Sequence, residues 1–133
     1  MLRQPKIALS WVLISIGILI HSSISLMEHV YFSTKEHTVT KDGVPTEMQV
    51  IFIISMILPL IMGFATMYIE NKKFIWFSII YAGLLSFLNI FHFIEDGLTQ
   101  LENIPQVITL LFIPVINIIL VFQLIKWKKE VFN

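Results

Sequence analysis

Apolar residues are concentrated in four long runs, which cover about residues 8–32, 48–69, 74–94 and 104–127. Each run contains 21 to 25 residues, and about 20 helical residues suffice to cross the hydrocarbon core of a bilayer. Because backbone amides in lipid must be paired within their own segment, the runs predict α-helices despite their many β-branched residues. The pattern predicts an all-α fold, in which residues 1–133 form a single four-helix transmembrane bundle.

The connections between these runs are short. Asp42-Gly43 and Pro45 mark the segment between the first and second runs as a turn-containing loop. Only residues 70–73 separate the second run from the third. We therefore expect the second and third helices to be antiparallel neighbours.

Basic residues are distributed unevenly between the two ends of this predicted bundle. Lys35 and Lys41 lie at one end, whereas the other seven of the nine Lys and Arg residues lie at the opposite end. Cytoplasmic loops carry such an excess of basic residues. Both termini are therefore predicted to be cytoplasmic, in a multi-pass protein of the cell membrane.

Composition supports lipid as the solvent and excludes several functional classes. Hydrophobic residues make up 56% of the chain and charged residues 14%, against roughly 25% charged residues in soluble domains. The formal net charge is zero and no basic, aromatic-rich stretch is present, so we expect no nucleic-acid partner. The absence of Cys excludes disulfides, thiol redox chemistry, thiolate metal sites and covalent c-type haem attachment.

Polar residues inside the runs fall on single helical faces. His21, Ser25 and Glu28 follow i, i+4, i+7 spacing in the first helix, which places them on one stripe. Similar stripes occur in the other three helices: Ser78, Tyr81, Leu85, Asn89, His92 and Asp96; Gln106, Thr109 and Asn117; and the small-residue strip Pro59, Gly63 and Thr66. Ionisable groups at membrane depth usually face protein or water, so we expect these stripes to face inward.

Inward-facing stripes bring the His and carboxylate residues of the first and third helices into one pocket, which opens outward. We predict that His21, Glu28 and His92 do acid–base chemistry there, because a carboxylate in apolar surroundings exchanges protons with a nearby imidazole. A divalent metal ion is an alternative, bound by His92, Asp96, Glu28 and His21. The residues expected to support either site are His29, Asn89 and Glu95.

Two simpler interpretations compete with this pocket. His21 can hydrogen-bond across the bundle to Asn89 or Asn117 and only lock the helices together, and His92 with Asp96 can be a hydrogen-bonded pair at a helix end. Axial haem ligation by two His residues is disfavoured, because His21 lies deeper in the bilayer than His92.

Four motifs resemble those of the HXXEE-motif family of small multi-helix membrane proteins, whose function is unknown. They are Ser25-Leu26-Met27-Glu28-His29, Asn89-Ile90-Phe91-His92, Pro105-Gln106-Val107-Ile108-Thr109 and Pro114. The chain departs from the family at three positions: Ser25 replaces His, His29 replaces the second Glu and Gln106 replaces Gly. The resemblance implies a common site for Glu28, Asn89 and His92, and no particular activity.

The sequence leaves the functional class open. A binding or catalytic site that uses His and carboxylate is the leading hypothesis. The small size and short loops also suit an accessory or immunity protein that binds another membrane protein. A small proton- or metal-coupled carrier, working as a homo-oligomer, is the third alternative.

Overall fold

The computed structural model describes residues 3–32, 46–99 and 101–132, with side chains at all of these positions except 29–32 and 48. In this part of the chain the secondary structure is entirely helical. The α-helices are α1 (Arg3–Phe32), α2 (Thr46–Phe52), α3 (Leu58–Tyr68), α4 (Lys72–His92) and α5 (Ile104–Phe132). A π-helical turn, Ile53–Ile57, joins α2 to α3, and a second, Phe93–Gly97, extends α4.

Four helical segments of the described chain are long and apolar enough to cross a membrane. They are the first span (Arg3–Glu28), the second span (Gln49–Tyr68), the third span (Lys72–Gly97) and the fourth span (Ile104–Phe132). The prediction of an all-α chain with four membrane-crossing helices is therefore confirmed. The predicted loop, with Lys35 and Lys41, lies outside the described residues.

Contacts between side chains show that successive spans run antiparallel. At the end that holds most basic residues, the basic end, Arg3 forms an ion pair with Glu130, and the Lys128 ammonium lies 3.6 Å from the Trp76 ring centroid. At the opposite, acidic end, the Gln106 side chain donates to the Ser25 hydroxyl at 3.0 Å. The fourth span therefore runs opposite to both the first and the third.

Close backbone packing occurs between α1 and α5, between α4 and α5, and between α1 and α3. The two helices joined by the tight turn, α3 and α4, approach each other less closely in the described residues. Bulky side chains occupy the space between them: Trp11 stacks on Tyr81 with ring centroids 5.4 Å apart, and the Tyr81 hydroxyl donates to the Ile54 carbonyl. The second and third spans are thus neighbours through side chains rather than through close-packed backbones.

The polar stripes predicted from the sequence face the interior. Ser78, Gln106 and Asn117 are at most 2% exposed, although each carries a polar side chain. Many large apolar side chains are instead exposed on the outside, among them Phe64, Phe87 and other aliphatic and aromatic residues of all four spans. This inside-out distribution is what a lipid solvent favours, because polar groups must find partners within the protein.

The small-residue strip of the second span lets α3 lie close to α1. Pro59, Gly63 and Thr66 are all buried. A β-carbon added at Gly63 would lie 3.2 Å from the Ala8 carbonyl oxygen and 3.3 Å from the Trp11 β-carbon. Close backbone approach at small residues is a main source of helix association in membranes, and Gly63 allows it here.

Replacing Gly63 with alanine is expected to destabilise the bundle by about 1–3 kcal/mol, since a backbone carbonyl cannot move aside as a flexible side chain can. The free energy of unfolding in detergent measures this loss. Gly83 is the matched control, because it is exposed in α4 and a β-carbon there meets nothing within 4 Å. Gly83→Ala should be neutral or stabilising. Equal effects of the two substitutions would contradict close packing at Gly63.

Candidate functional site

The predicted site residues lie at the acidic end, where a π-helical turn follows α4. His92 is the last residue of α4, and the turn Phe93–Gly97 carries Glu95 and Asp96. The backbone N–H of Leu98 bonds to the Phe93 carbonyl at 3.2 Å, the i→i+5 pattern of a π-helix. π-Helical turns occur frequently at functional sites, because they alter the facing of side chains within a helix.

A glycine at the end of this turn makes room for it. A β-carbon at Gly97 would lie only 2.7 Å from the Phe93 ring, closer than β-carbons approach other atoms. Gly97 is buried and Phe93 is half-buried. The lack of a side chain at Gly97 therefore leaves space for the Phe93 ring within the turn that carries Asp96.

Two imidazoles from different spans meet at this end of the bundle. The Nε2 atoms of His21 and His92 lie 3.1 Å apart, within hydrogen-bond distance. The ring centroids are 5.1 Å apart and the ring planes are nearly perpendicular, at 84°. His21 lies seven residues before Glu28, which places it about 10 Å deeper along α1. A histidine at membrane depth thus has another histidine as its hydrogen-bond partner.

A carboxylate completes this chain of hydrogen bonds. The Nδ1 atom of His92 lies 2.8 Å from the Asp96 carboxylate, on the opposite side of the ring from His21. The side chains of His92 and Asp96 are 42% and 40% exposed, so this part of the hydrogen-bond chain lies at the surface of the bundle. His21 is half-buried and carries the chain inward. We call His21, His92 and Asp96 the His–His–Asp chain.

The geometry restricts where protons can lie. An N–H···N hydrogen bond between the two Nε2 atoms requires one of them, and only one, to carry the hydrogen. An ionised Asp96 accepts from His92 Nδ1–H, and this leaves Nε2 of a neutral His92 as an acceptor. His21 Nε2–H then donates to His92. A proton added at one end of the chain therefore changes the donors and acceptors at the other end.

A second polar cluster lies beside the His–His–Asp chain and contains Glu28. The side-chain NH₂ of Asn103 donates to the Glu28 carboxylate. Its side-chain oxygen, Oδ1, accepts from the Gln106 backbone N–H at 3.3 Å. Asn103 thereby caps the N-terminus of α5, where backbone donors lack partners within the helix. Glu28 is thus held by the end of the fourth span rather than by His92.

A cavity of about 510 Å³ opens beside this second cluster. Glu28 and Glu102 give it two carboxylates, and the other lining residues are Leu98, Thr99, Leu101 and Asn103. Of the residues predicted to share a pocket, Glu28 is in this lining, whereas His21, His92 and Asp96 are not. The imidazoles touch each other directly instead of facing each other across the cavity.

The structure places the predicted supporting residues less centrally. Glu95 is exposed, while Asn89 is half-buried and its side-chain nitrogen has no hydrogen-bond partner in the described residues. The side chain of His29 lies outside the described part of the chain.

Two residues of the site were not singled out from the sequence as functional: Asn103, which binds Glu28, and Gln106, which lies next to His21. An Asn followed by Ile-Pro is typical of a helix start, and this signal identifies Asn103 as a cap.

A metal centre has no support in the described residues. No group of three or more His, Asp and Glu side chains is arranged there so that it could hold an ion. Asp96 lies on the far side of the His92 ring from His21, and Glu28 is bound to Asn103. Catalytic and structural zinc sites use at least three protein ligands. The arrangement is better suited to holding protons.

Comparison of the chain with protein-family models, with curated proteins and with solved structures finds no match. Nothing in these comparisons bears on the resemblance to the HXXEE-motif family, which stays a prediction. The geometry of the acidic end is therefore the basis for inferring function.

Proposed function

We propose that this chain is a membrane protein whose working part is a proton relay, formed by Asp96, His92 and His21. The observation that carries the proposal is the direct Nε2–Nε2 contact of 3.1 Å between imidazoles of two spans, continued by the 2.8 Å contact to Asp96. Imidazole is the side chain whose unperturbed protonation changes near neutral pH. A pair of imidazoles in contact can therefore take up, hold and pass on one proton.

The position of the His–His–Asp chain along the bundle supports a relay. Asp96 and His92 are partly exposed near the end of the third span, whereas His21 lies deeper on α1. Ionisable residues inside membrane spans are costly, and in membrane proteins they often mark proton paths. The relay thus leads from the acidic rim toward the interior.

We further propose an orientation in which both termini are cytoplasmic and the relay opens to the outside of the cell membrane. The basic residues at one end of the bundle support this, including Arg3, Lys72 and Lys128. The acidic end, with Glu28, Asp96 and others, then faces outward. Labelling of cysteines introduced singly at the two ends, in intact cells, tests the orientation.

A proton relay favours a proton-coupled carrier or a membrane-embedded acid–base enzyme over an accessory protein. A protein that only binds a membrane partner needs packed helices but no ionisable groups at membrane depth. Within this chain, Gly63 and Gly17 allow close helix packing without such groups. Proton flux into liposomes that contain the purified chain, followed with a pH-sensitive dye, distinguishes the carrier. Flux that survives both His21→Asn and His92→Asn would place transport elsewhere in the molecule.

The relay itself is tested by ¹⁵N NMR of histidine-labelled protein in lipid nanodiscs. We expect a scalar coupling between the Nε2 nuclei of His21 and His92, because they share a hydrogen bond. We also expect the two rings to titrate together, with one proton taken up between them. The variants His29→Gln and His37→Gln assign the remaining signals, since the chain contains four histidines.

Substitution of one ring provides the decisive comparison. In His21→Asn, His92 loses its imidazole partner, so the coupling between Nε2 nuclei should disappear and the proton uptake shared by the two rings should be lost. Absence of the coupling in the wild type, together with unchanged proton uptake in His21→Asn, would show that the rings act independently and would refute the relay. A chelator added to a parallel sample should leave the spectra unchanged.

A further inference from the structure

Two buried atoms next to the relay lack hydrogen-bond partners in the described residues. They are Nδ1 of His21 and Oε1 of Gln106. Gln106 is only 2% exposed, and its side chain is a neighbour of His21 on the facing span. Its amide nitrogen donates to the Ser25 hydroxyl at 3.0 Å. Unpaired polar atoms are costly inside a bundle, so these two leave the hydrogen bonding at the inner end of the relay incomplete.

With its nitrogen bonded to Ser25, the amide leaves its carbonyl oxygen free to accept a hydrogen bond. Nδ1 of His21 would need a hydrogen in order to donate to this oxygen. Asp96 already requires a hydrogen on Nδ1 of His92, and the contact between the two Nε2 atoms needs one more. These three hydrogens exceed by one the number that two neutral imidazoles supply. This orientation of Gln106 therefore suits an imidazole pair that holds one extra proton.

A half-turn of the amide produces the opposite pattern. The Gln106 NH₂ group then donates to a bare Nδ1 of His21, and its carbonyl oxygen accepts from the Ser25 hydroxyl. His21 Nε2–H donates to His92, and His92 Nδ1–H donates to Asp96. Every hydrogen bond is satisfied with two neutral imidazoles. The same side chains thus form two complete networks, which differ by one proton and by the facing of one amide.

We propose that Gln106 is a positioning residue of the relay, whose side-chain amide turns over as the His21–His92 pair gains or loses its proton. The inference rests on the proposed relay and identifies Gln106 as the residue at its deeper end, beside His21. The extra proton comes from water at the acidic rim and returns there, so no other reactant is needed. Ser25 serves both networks, as an acceptor in one and as a donor in the other.

The charged groups around the pair fit this exchange. Asp96 of the third span and Glu28 of the first span both act electrostatically on His21. Among the described residues of the fourth span, the group that acts on His21 is the neutral amide of Gln106. The amide of Gln106 is therefore the neutral group that can adapt to either protonation state.

The first test compares two glutamines of α5 that both pair with a serine of α1. Gln106→Glu replaces the turning amide with a group that, when ionised, only accepts, so it should favour the protonated pair. We expect the proton affinity of the pair to rise about tenfold. Gln123, which accepts from the Ser10 hydroxyl at 3.1 Å near the basic end, is the matched control. Gln123→Glu should leave that affinity unchanged within about twofold.

The second test uses the wild-type protein, so that it does not depend on folding of the variants. The side-chain NH₂ resonances of Gln106 should shift through the same pH range as the two imidazoles, and His21 should change the ring nitrogen that carries its hydrogen. The side-chain amide of Asn117, which is buried in the same helix and bonded to the Ile113 carbonyl, should not follow.

The outcomes separate this inference from the relay. Linked titration of His21 and His92 with stationary Gln106 resonances would overturn the role of Gln106 and leave the relay intact. Equal effects of Gln106→Glu and Gln123→Glu would also overturn it. Independent titration of the two imidazoles would overturn the relay and, with it, the reason for the amide to turn.

Discussion

Replacing Gly17 with leucine is expected to separate α1 from α5 and to destabilise the bundle by about 3 kcal/mol. A β-carbon at Gly17 would lie 2.8 Å from Cγ1 of Ile113, an atom close to the backbone that cannot swing away easily. Both residues are buried at the interface of the first and fourth spans. The free energy of unfolding in mixed detergent micelles measures the loss.

The same substitution should also weaken the coupling of Gln106 to the relay. Gly17 lies one helical turn before His21, on the same face of α1. Moving α5 outward there would lengthen the path from His21 to Gln106, so the pH-dependent shift of the Gln106 amide resonances should be reduced.

Gly83→Leu is the control for this experiment, because that position is exposed and nothing lies within 4 Å of an added β-carbon. It should change the free energy of unfolding by less than about 1 kcal/mol. Adding Ile113→Ala to Gly17→Leu should recover part of the loss, because it removes the atom that the new side chain meets. A Gly17→Leu variant as stable as the wild type would contradict close packing of α1 on α5.

The helices could be predicted because the bilayer leaves few alternatives. Apolar runs of sufficient length must become helices in lipid, and the described spans occupy the same stretches of sequence as the predicted runs. Spacing also predicted which faces turn inward, since Ser78, Gln106 and Asn117 are buried as expected. Packing partners were less predictable: the length of a turn constrains direction, but bulky residues such as Trp11 and Tyr81 determine how closely two helices approach.

Only part of the site could be inferred from the sequence. His21, His92 and Asp96 were expected to lie near one another, because an inward face and a common end of the bundle restrict their positions. The partner of Glu28 could not be inferred, because the Asn-Ile-Pro signal marks the start of α5 but the side chain that Asn103 reaches depends on how the first and fourth spans pack. The contact between the Nε2 atoms of His21 and His92 could not be predicted either, because it depends on rotation about the helix axes and on the π-helical turn.

A proton relay and a set of hydrogen bonds that only locks helices together require different properties of their residues. A lock needs hydrogen bonds of any polarity, and amides or hydroxyls provide them. The His–His–Asp chain instead joins an exposed carboxylate to groups that can exchange donor and acceptor roles, and it ends on an amide that can do the same. Charge at Asp96 is therefore significant for a relay and unimportant for a lock, which makes Asp96 the residue that distinguishes them.

Asp96→Asn is expected to lower the proton affinity of the His21–His92 pair about two- to fivefold. The asparagine oxygen can still accept from His92 Nδ1–H, so the geometry is kept while the negative charge is lost. Ion pairs between partly exposed side chains contribute up to about 1 kcal/mol, and the side chains of His92 and Asp96 are 42% and 40% exposed. Because the charge favours the protonated pair, its removal shifts the midpoint of proton uptake to lower pH.

The same charge change one residue away controls for long-range electrostatics. Glu95 is exposed and lies off the polar stripe, so Glu95→Gln should move the midpoint by less than about 0.3 pH units, after screening by salt. The free energy of unfolding should be nearly unaffected in both variants, because neither substitution removes buried packing. Equal midpoints in Asp96→Asn and Glu95→Gln would mean that the 2.8 Å contact only joins a helix to its own end. A shift confined to Asp96→Asn would be the response of an imidazole pair that binds its proton through this carboxylate.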